Sequence, residues 1–343
     1  MLVTSKIEWE VKMKVAFVLA HRCDGYDISE LRQVFVASEF VKKQIKAKVF
    51  GVSVGSFEYK NRISNYKCPV IICPSDGDVE DIHDVTSKSL IECLKNFAPD
   101  VIFIKGVDYI IAKDIMRTIE SRFIFIIGGT YEHELLEQCD GILFESHKQY
   151  KSYKGATKKF ILPKFINWEF ADKNTYEKEF DIINVGTFNE ERKAQELLSG
   201  LIFYKKVLFV GSGHRLEAFK SLFSHKNAVF VGQVDEEEVY NYINKSKVMV
   251  HPSTWDGYPR VVAQSLSCGV PVIGLSHVLD GIHDDIIIRC EIKDLTNTTL
   301  DILENKDRLY NLSKKSLDFM KYQNSKENIM NVFEEAIDCV FRA

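Results

Sequence analysis

The segment from residue 251 to residue 273 combines a glycine turn with the start of a helix. Apolar residues 248–250 predict a buried strand that runs into a Pro-Ser-Thr loop. Gly257 permits a tight turn that exposes backbone amides, and Pro259 suits the first position of a helix over residues 260–267. Because a helix N-terminus with free amides attracts anions, this segment predicts a phosphate site.

Two polar side chains flank the predicted helix start. Asp256 lies before the helix, and Gln264 lies within it. The helix ends at Cys268 and Gly269, after which an apolar run begins the next strand. Strand, turn, helix and strand therefore follow one another around the predicted anion site.

Short apolar runs alternate with helical patterns through the first half of the chain, beginning at residues 15–20. Continuous runs of this kind are typical of strands buried on both faces of a parallel sheet. Later runs follow at 48–52, 69–73, 101–104, 123–127, 141–144 and 160–162. Residues 167–180 are polar and lack strand periodicity, which indicates a linker after an N-terminal domain of residues 1–166.

A second series of apolar runs begins at residue 181. Its runs lie at 181–185, 207–210, 228–231, 248–250, 270–273 and 286–288. Two such series predict an α/β fold of two doubly wound, Rossmann-like domains facing across a cleft. Ligands in such sheets bind at the carboxyl ends of the strands. Residues 181–324 would form the second domain, and helical spacing predicts a last helix within 325–343.

The segment 251–273 resembles the signature of the GT-B-fold retaining glycosyltransferases of group 1, or family 4. That signature runs Pro-Ser, two residues, Glu-Gly-Phe, a second Glu eight positions after the first, and Gly-x-Pro-Val. The matching residues are Pro252, Ser253, Gly257, Tyr258, Gly269, Pro271 and Val272. Asp256 and Gln264 stand where the family has its two glutamates. The resemblance implies that Asp256 faces the hydroxyls of a donor sugar and that Gln264 contacts the ribose. It also implies that the helix over 325–343 packs back on the N-terminal domain.

Further segments resemble the family's donor domain. The family follows Val-Gly-Arg with a lysine about five residues later, and both cations grip the donor diphosphate. Here Thr187 replaces the arginine, and either Arg192 or Lys193 could supply the second cation. The resemblance assigns these further residues to the donor: Gly186, Gly211, Gly213, Gly232, Gln233, Gly257, Tyr258, Pro259 and Arg260.

In the N-terminal half the candidates are acceptor-side groups. Gly25 lies where the family places a flexible glycine loop, and Glu132 and His133 follow a predicted strand at the edge facing the cleft. Asp76 and Asp78 form an Asp-x-Asp pair, but the acidic loop around them favours a solvated surface over a metal site. We expect no metal in the reaction.

Composition argues against a nucleic-acid-binding protein, a disulfide-bonded secreted protein and a membrane-spanning protein. The 343 residues fit about two domains, and the formal net charge of −4 gives no general attraction to nucleic acid. Eight scattered cysteines and no recognisable secretory signal favour free thiols in a reducing, cytoplasmic compartment. The longest apolar runs are too short for a membrane span. Lysines at 42, 43, 46 and 48 leave open a contact with the inner membrane surface, although a core-packed helix with a solvated basic end is favoured.

The sequence therefore predicts a metal-independent glycosyltransferase of the hexosyltransferase type. It would move a sugar from a nucleotide sugar, UDP-sugar favoured over GDP-sugar, to a glycan or lipid-linked acceptor in glycan, glycolipid or cell-surface polysaccharide synthesis. Two alternatives stay open: a catalytically weakened or inactive binding or regulatory subunit of the same fold, and a two-domain small-ligand binder of the periplasmic type. The oligomeric state is not predicted.

Overall fold

A computed structural model of the protein describes residues 13–22, 32–53, 68–77, 79–129, 132–171, 177–279 and 285–342. The chain divides into two compact units. The first contains the chain up to residue 145, residues 149–165 and the C-terminal residues from 326. The second contains residues 146–148 and 166–325.

The first unit is built on a seven-stranded sheet. Its strands are β1 (Lys14–Arg22), β2 (Lys46–Ser53), β3 (Val70–Pro74), β4 (Val101–Lys105), β5 (Arg122–Ile127), β6 (Gly141–Phe144) and β7 (Lys158–Ile161). The helices of this part of the chain are α1 (Arg32–Lys42), α2 (Lys88–Phe97), α3 (Ile110–Thr118), α4 (Leu135–Gln138) and α5 (His147–Ser152). The strand order is β3-β2-β1-β4-β5-β6-β7, and all neighbours pair in parallel.

The second unit is built on a six-stranded sheet. Its strands are β8 (Phe180–Val185), β9 (Val207–Val210), β10 (Ala228–Gly232), β11 (Ser246–His251), β12 (Val272–Leu275) and β13 (Ile287–Cys290). Its helices are α6 (Trp168–Ala171), α7 (Leu216–Leu222), α8 (Glu236–Asn244), α9 (Arg260–Ser267), α10 (Ser276–Leu279), α11 (Leu295–Glu304) and α12 (Lys306–Gln323). The order is β10-β9-β8-β11-β12-β13, again parallel throughout.

Each sheet separates two hydrophobic cores. Along β1, residues 15, 17 and 19 face one core, and residues 16, 18 and 20 face the other. All six are fully buried, which explains why the run shows no polar alternation. The predicted fold class, two doubly wound α/β domains, is confirmed.

The last helix, α13 (Lys326–Arg342), belongs to the first unit. The ring of Phe333 is fully buried and lies 5.8 Å from Phe17 and 5.0 Å from Phe103, edge-on to both. Four further residues of this helix that follow the predicted helical spacing pack in the same core: Ile329, Val332, Ile337 and Val340. The chain therefore returns to its first sheet after building the second.

Part of the segment that the sequence predicts as a linker is folded. Residues 168–171 form α6, and Phe170 and Ala171 pack in a core of the second unit. The indole nitrogen of Trp168 also donates to the carbonyl oxygen of Asn324 at 3.2 Å. The aromatic residues explain the difference, because they bury apolar surface although the segment is polar on average.

Five of the seven cysteines in the described residues are buried, and all seven are free. Burial raises the pKa of the Cys139 and Cys268 thiols to about 12. In this part of the chain the structure therefore agrees with the prediction of free thiols, and at neutral pH these two carry no charge.

The lysines near the end of α1 have partners within the first unit. Lys42 lies 2.6 Å from Glu39, Lys43 contacts Glu334, and the Lys48 ammonium lies 4.8 Å from the centre of the Phe97 ring. Among the helices described, none has the length and hydropathy that a bilayer crossing requires.

Candidate functional site

The loop between β11 and α9 is joined to a short 3₁₀ turn, Glu191–Lys193, that follows β8. The Thr254 amide donates to the Arg192 carbonyl oxygen at 2.8 Å. The Ser253 hydroxyl, fully buried, lies 3.1 Å from the carbonyl oxygens of both Arg192 and Trp255. Because β8 and β11 are neighbours, the two loops emerge side by side at the carboxyl edge of the second sheet.

Asp256 is the centre of this site. Arg192 Nη1 donates to Asp256 Oδ1 at 2.9 Å, and Lys193 Nζ lies 2.9 Å from Oδ2 and 3.2 Å from Oδ1. His251 Nε2, at the end of β11, lies 3.0 Å from Oδ2. The four contacts match the roughly four lone-pair positions of a carboxylate. Both cations that the sequence offered as alternatives therefore contact the same carboxylate.

The surroundings keep Asp256 ionised. Burial alone would raise the pKa of its carboxyl group. Hydrogen bonds and charge from His251 and Lys193 outweigh that effect and hold the pKa well below its ordinary value. The Asp256 side chain is 13% exposed and that of Lys193 is 15% exposed, so solvent screens their interaction only in part.

Arg192 is held from several sides. It forms an ion pair with Glu190, its Nη1 donates to the Trp255 carbonyl oxygen at 2.7 Å, and its guanidinium carbon lies 5.3 Å from the centre of the Trp255 ring. The Trp255 side chain is 63% exposed. An exposed aromatic ring thus lies next to the charged cluster.

The predicted glycine turns bring the backbones of neighbouring loops together. Gly211 and Gly213 have φ of 139° and 156°, and Gly232 has φ of 76°. A Cβ on Gly211 would lie 1.9 Å from the carbonyl oxygen of Gly186, so a side chain does not fit there. The carboxyl ends of β8, β9 and β10 are therefore closely packed.

Two polar residues of these turns bind other loop atoms. The Thr187 hydroxyl lies 3.3 Å from the Ser212 carbonyl oxygen and accepts from the Asn189 amide at 3.2 Å. The Gln233 Oε1 accepts from the Ser212 hydroxyl at 3.0 Å. Thr187 thus helps to shape the turn and adds no charge to the site.

The predicted helix over 260–267 is present as α9. Pro259 is its N-cap, with φ −62° and ψ 134°, rather than its first helical residue, and gives the first turn no side-chain hydrogen bond. This corrects the prediction by one position, because extended ψ places proline just outside the helix. Arg260 is exposed at the helix start, and Gly257 and Tyr258 are half-buried in the loop before it.

Gln264 is 3% exposed, and its Nε2 donates to Glu236 Oε1 at 2.9 Å. Glu236 is half-buried and is the first residue of α8. Sequence reasoning named neither Glu236 nor His251 as a site residue. His251 could have been predicted as a site residue, because it lies at the carboxyl end of a buried strand. Glu236 stands among three consecutive glutamates, and nothing local distinguishes it.

The acceptor-side candidates Glu132 and His133 belong to the first unit. Gly25 lies outside the described residues, as does Asp78. His133 Nδ1 accepts from the Leu135 amide at 3.2 Å at the start of α4, and Glu132 is exposed beside it.

Asp76 Oδ1 accepts from the Lys88 amide at 2.9 Å at the start of α2. Among the described residues no three His, Cys, Asp or Glu side chains are grouped so as to hold a metal ion.

Residues 179–305 match the family described as Glycosyl transferases group 1. The chain is similar to the N-acetyl-alpha-D-glucosaminyl L-malate synthase of Bacillus anthracis, with 24% identity over 177 residues, 46% of this chain and 45% of the relative. It is also similar to the putative teichuronic acid biosynthesis glycosyltransferase TuaC of Bacillus subtilis (strain 168), with 32% identity over 99 residues, 27% of this chain and 24% of the relative. Each alignment thus spans less than half of the relative's length.

Solved structures match nearly the whole chain. The sucrose-phosphate synthase of Thermosynechococcus elongatus superimposes with a TM-score of 0.72 at 15% identity, covering 96% of this chain and 99% of that one. Anabaena HepE, solved in complex with UDP and glucose, superimposes with a TM-score of 0.70 at 12% identity, covering 95% and 99%. At such identities the likeness shows the fold. The protein is thereby identified as having the GT-B fold, and its residues 179–305 are similar to the group 1 glycosyl transferases.

Proposed function

We propose that the protein transfers a glycosyl unit from a nucleoside diphosphate sugar to an acceptor hydroxyl, with retention of the anomeric configuration. The cluster of Arg192, Lys193, His251 and Asp256 at the carboxyl edge of the second sheet is the observation that carries this proposal. Two cations bound to the loop that leads into α9 suit a diphosphate, whose negative charge grows as it leaves.

The reaction needs no protein nucleophile in this scheme. The bond between the sugar C1 and the phosphate oxygen breaks, and the acceptor oxygen bonds to C1 on the same face. The acceptor proton passes to the leaving diphosphate. Arg192 and Lys193 supply the positive charge that a divalent ion would otherwise provide, so the proposal includes metal independence.

Asp256 has two roles in the proposal. In the free protein its four contacts orient Arg192 and Lys193 toward the place of the diphosphate. When the donor binds, a sugar hydroxyl would replace the longest of these contacts, the 3.2 Å contact between Lys193 Nζ and Asp256 Oδ1. Asp256 would then hold the sugar ring by a charge-assisted hydrogen bond.

We favour UDP-sugar as the donor and a glycan or lipid-linked acceptor, in glycan, glycolipid or cell-surface polysaccharide synthesis. Anabaena HepE, a structure of the same fold, was solved with UDP and glucose. The two relatives, an N-acetyl-alpha-D-glucosaminyl L-malate synthase and a putative teichuronic acid biosynthesis glycosyltransferase, support sugar transfer onto small or polymeric acceptors. A cytoplasmic location at the inner face of the membrane is part of the same proposal.

A binding or regulatory protein of the same fold is the second candidate, and Thr187 favours it. The family's arginine would add a charge at this position, whereas the Thr187 hydroxyl is engaged with the Ser212 carbonyl oxygen and the Asn189 amide. Such a protein would bind the nucleotide and leave the donor intact.

A thermal-shift panel of UDP, GDP, CMP and their sugars tests the proposal first. A nucleotide at 100 times its dissociation constant should stabilise the protein by about 2.7 kcal/mol. Donor cleavage in the presence of acceptor and excess EDTA then separates the two candidates. Binding without cleavage would favour the regulatory protein, and cleavage that stops in EDTA and returns with manganese would contradict metal independence. The absence of any nucleotide shift would overturn both.

A further inference from the structure

Glu236 and Gln264 form a pair that the proposed reaction does not yet use. Gln264 is almost fully buried on α9, and its side-chain amide donates to Glu236 Oε1 at 2.9 Å. An amide nitrogen can only donate, and a carboxylate can only accept, so the pair is chemically complementary. The buried Gln264 therefore fixes the position of a carboxylate that is itself half-buried.

The surrounding helix also fixes Glu236. Tyr240, four residues further along α8, is fully buried, and its hydroxyl accepts from the Asn167 amide at 3.2 Å. Residues four apart lie on the same face of a helix, so Glu236 lies on the same face of α8 as the buried Tyr240. Asp235 caps the helix by accepting from the Glu238 amide at 2.9 Å. Glu236 is thus held at the carboxyl edge of the sheet, in the helix that follows β10.

One oxygen of the Glu236 carboxylate can still accept a hydrogen bond. Gln264 binds Oε1, and within the described part of the chain no group donates to Oε2. Asp256 differs, because Arg192, Lys193 and His251 already occupy both of its oxygens. A fixed carboxylate with a vacant acceptor position suits neighbouring hydroxyl groups, and nucleotide-binding α/β folds use an acidic residue in this way toward ribose.

Resting on the nucleotide site of the proposed function, we propose that Glu236, positioned by Gln264, accepts a hydrogen bond from the ribose 2′-hydroxyl at Oε2 and so selects ribonucleotides over deoxyribonucleotides. Gln264 then acts through Glu236 and is a positioning residue. This differs from the expectation that Gln264 itself contacts the ribose, since its amide nitrogen is already bonded to Glu236.

Calorimetric titration of UDP and 2′-deoxy-UDP tests the proposal, because the two ligands differ only in one hydroxyl. The wild-type protein should prefer UDP by about tenfold or more, as expected for a hydrogen bond to a charged group. Glu236→Gln should weaken UDP and leave 2′-deoxy-UDP nearly unchanged, so that the preference collapses. Glu237→Gln, with the same charge change in the same helical turn, should keep it.

Gln264→Met tests the positioning role. It keeps the approximate size of the side chain and removes the amide, so the preference for UDP should fall between those of wild type and Glu236→Gln. A general loss of folding would weaken the binding of both ligands equally. Only a specific role of Gln264 would change the ratio of the affinities for UDP and 2′-deoxy-UDP. An unchanged ratio in Glu236→Gln would overturn the inference while leaving the proposed function intact. If the wild-type protein binds none of UDP, GDP, CMP and their sugars, the proposed function itself fails.

Discussion

The ammonium group of Lys193 lies 2.9 Å from one carboxylate oxygen of Asp256 and 3.2 Å from the other. One cation therefore spans both oxygens of a residue 63 positions away in the chain. The contact joins the two loops that follow β8 and β11, and it links the proposed diphosphate site to the proposed sugar site.

Lys193→Met should weaken UDP about tenfold or more and leave uridine almost unaffected, because only UDP carries the phosphates. Titration calorimetry with both ligands measures the difference. Lys220→Met is the control, since that lysine forms an exposed pair with Glu217. An equal loss for UDP and uridine would contradict a phosphate role.

Asp256→Ala should lower kcat/KM at least about tenfold, because a charge-assisted bond to the sugar is lost. Free UDP should bind nearly as before, because the loss of the contacts that orient Arg192 and Lys193 and the release of both cations from their ion pairs act in opposite directions. Initial rates and UDP titrations, measured on the same preparation, separate the two effects. A parallel loss of turnover and UDP affinity would show that Asp256 acts mainly on the fold of the loop.

The free energy of unfolding that Asp256 contributes should decrease at low pH. Its pKa in the folded protein is lowered, so its contribution is complete above the unfolded-state pKa of about 3.9 and is lost as pH falls toward the folded-state value. Asp256→Asn lacks this titration. Urea unfolding should therefore show a difference between wild type and variant at pH 6 that narrows at pH 3. A difference that stays constant with pH would rule out the ion cluster as its source.

Phe333→Ala should lower the free energy of unfolding by about 3–5 kcal/mol, as for other large aromatic residues removed from a core. The ring is fully buried and packs edge-on against both Phe17 and Phe103. Phe341→Ala is the matched control on the same helix, because Phe341 is 43% exposed and should cost little. Equal effects of the two substitutions would place α13 outside the core of the first unit.

The sequence alone determined the strands and the helix beside the site. Each continuous apolar run became a parallel strand. The inner strands are buried because both of their faces are covered, whereas the edge strands β3, β7 and β10 are mostly half-buried. The residues 260–267 predicted as a helix are those of α9, since Pro259 before it and Gly269 after it are local signals. Gly269, with φ of 65°, ends the helix in the left-handed conformation that glycine adopts readily.

Only the tertiary structure decided which side chains meet. The order β10-β9-β8-β11 puts β8 beside β11, and this brings both Arg192 and Lys193 to Asp256 where the sequence offered one or the other. The same packing turns Gln264 toward Glu236 on α8. The periodicity of apolar residues indicates which face of a helix or strand is buried. Contacts between side chains that are distant in the sequence depend on strand order and on rotamers, and a local sequence pattern does not specify either.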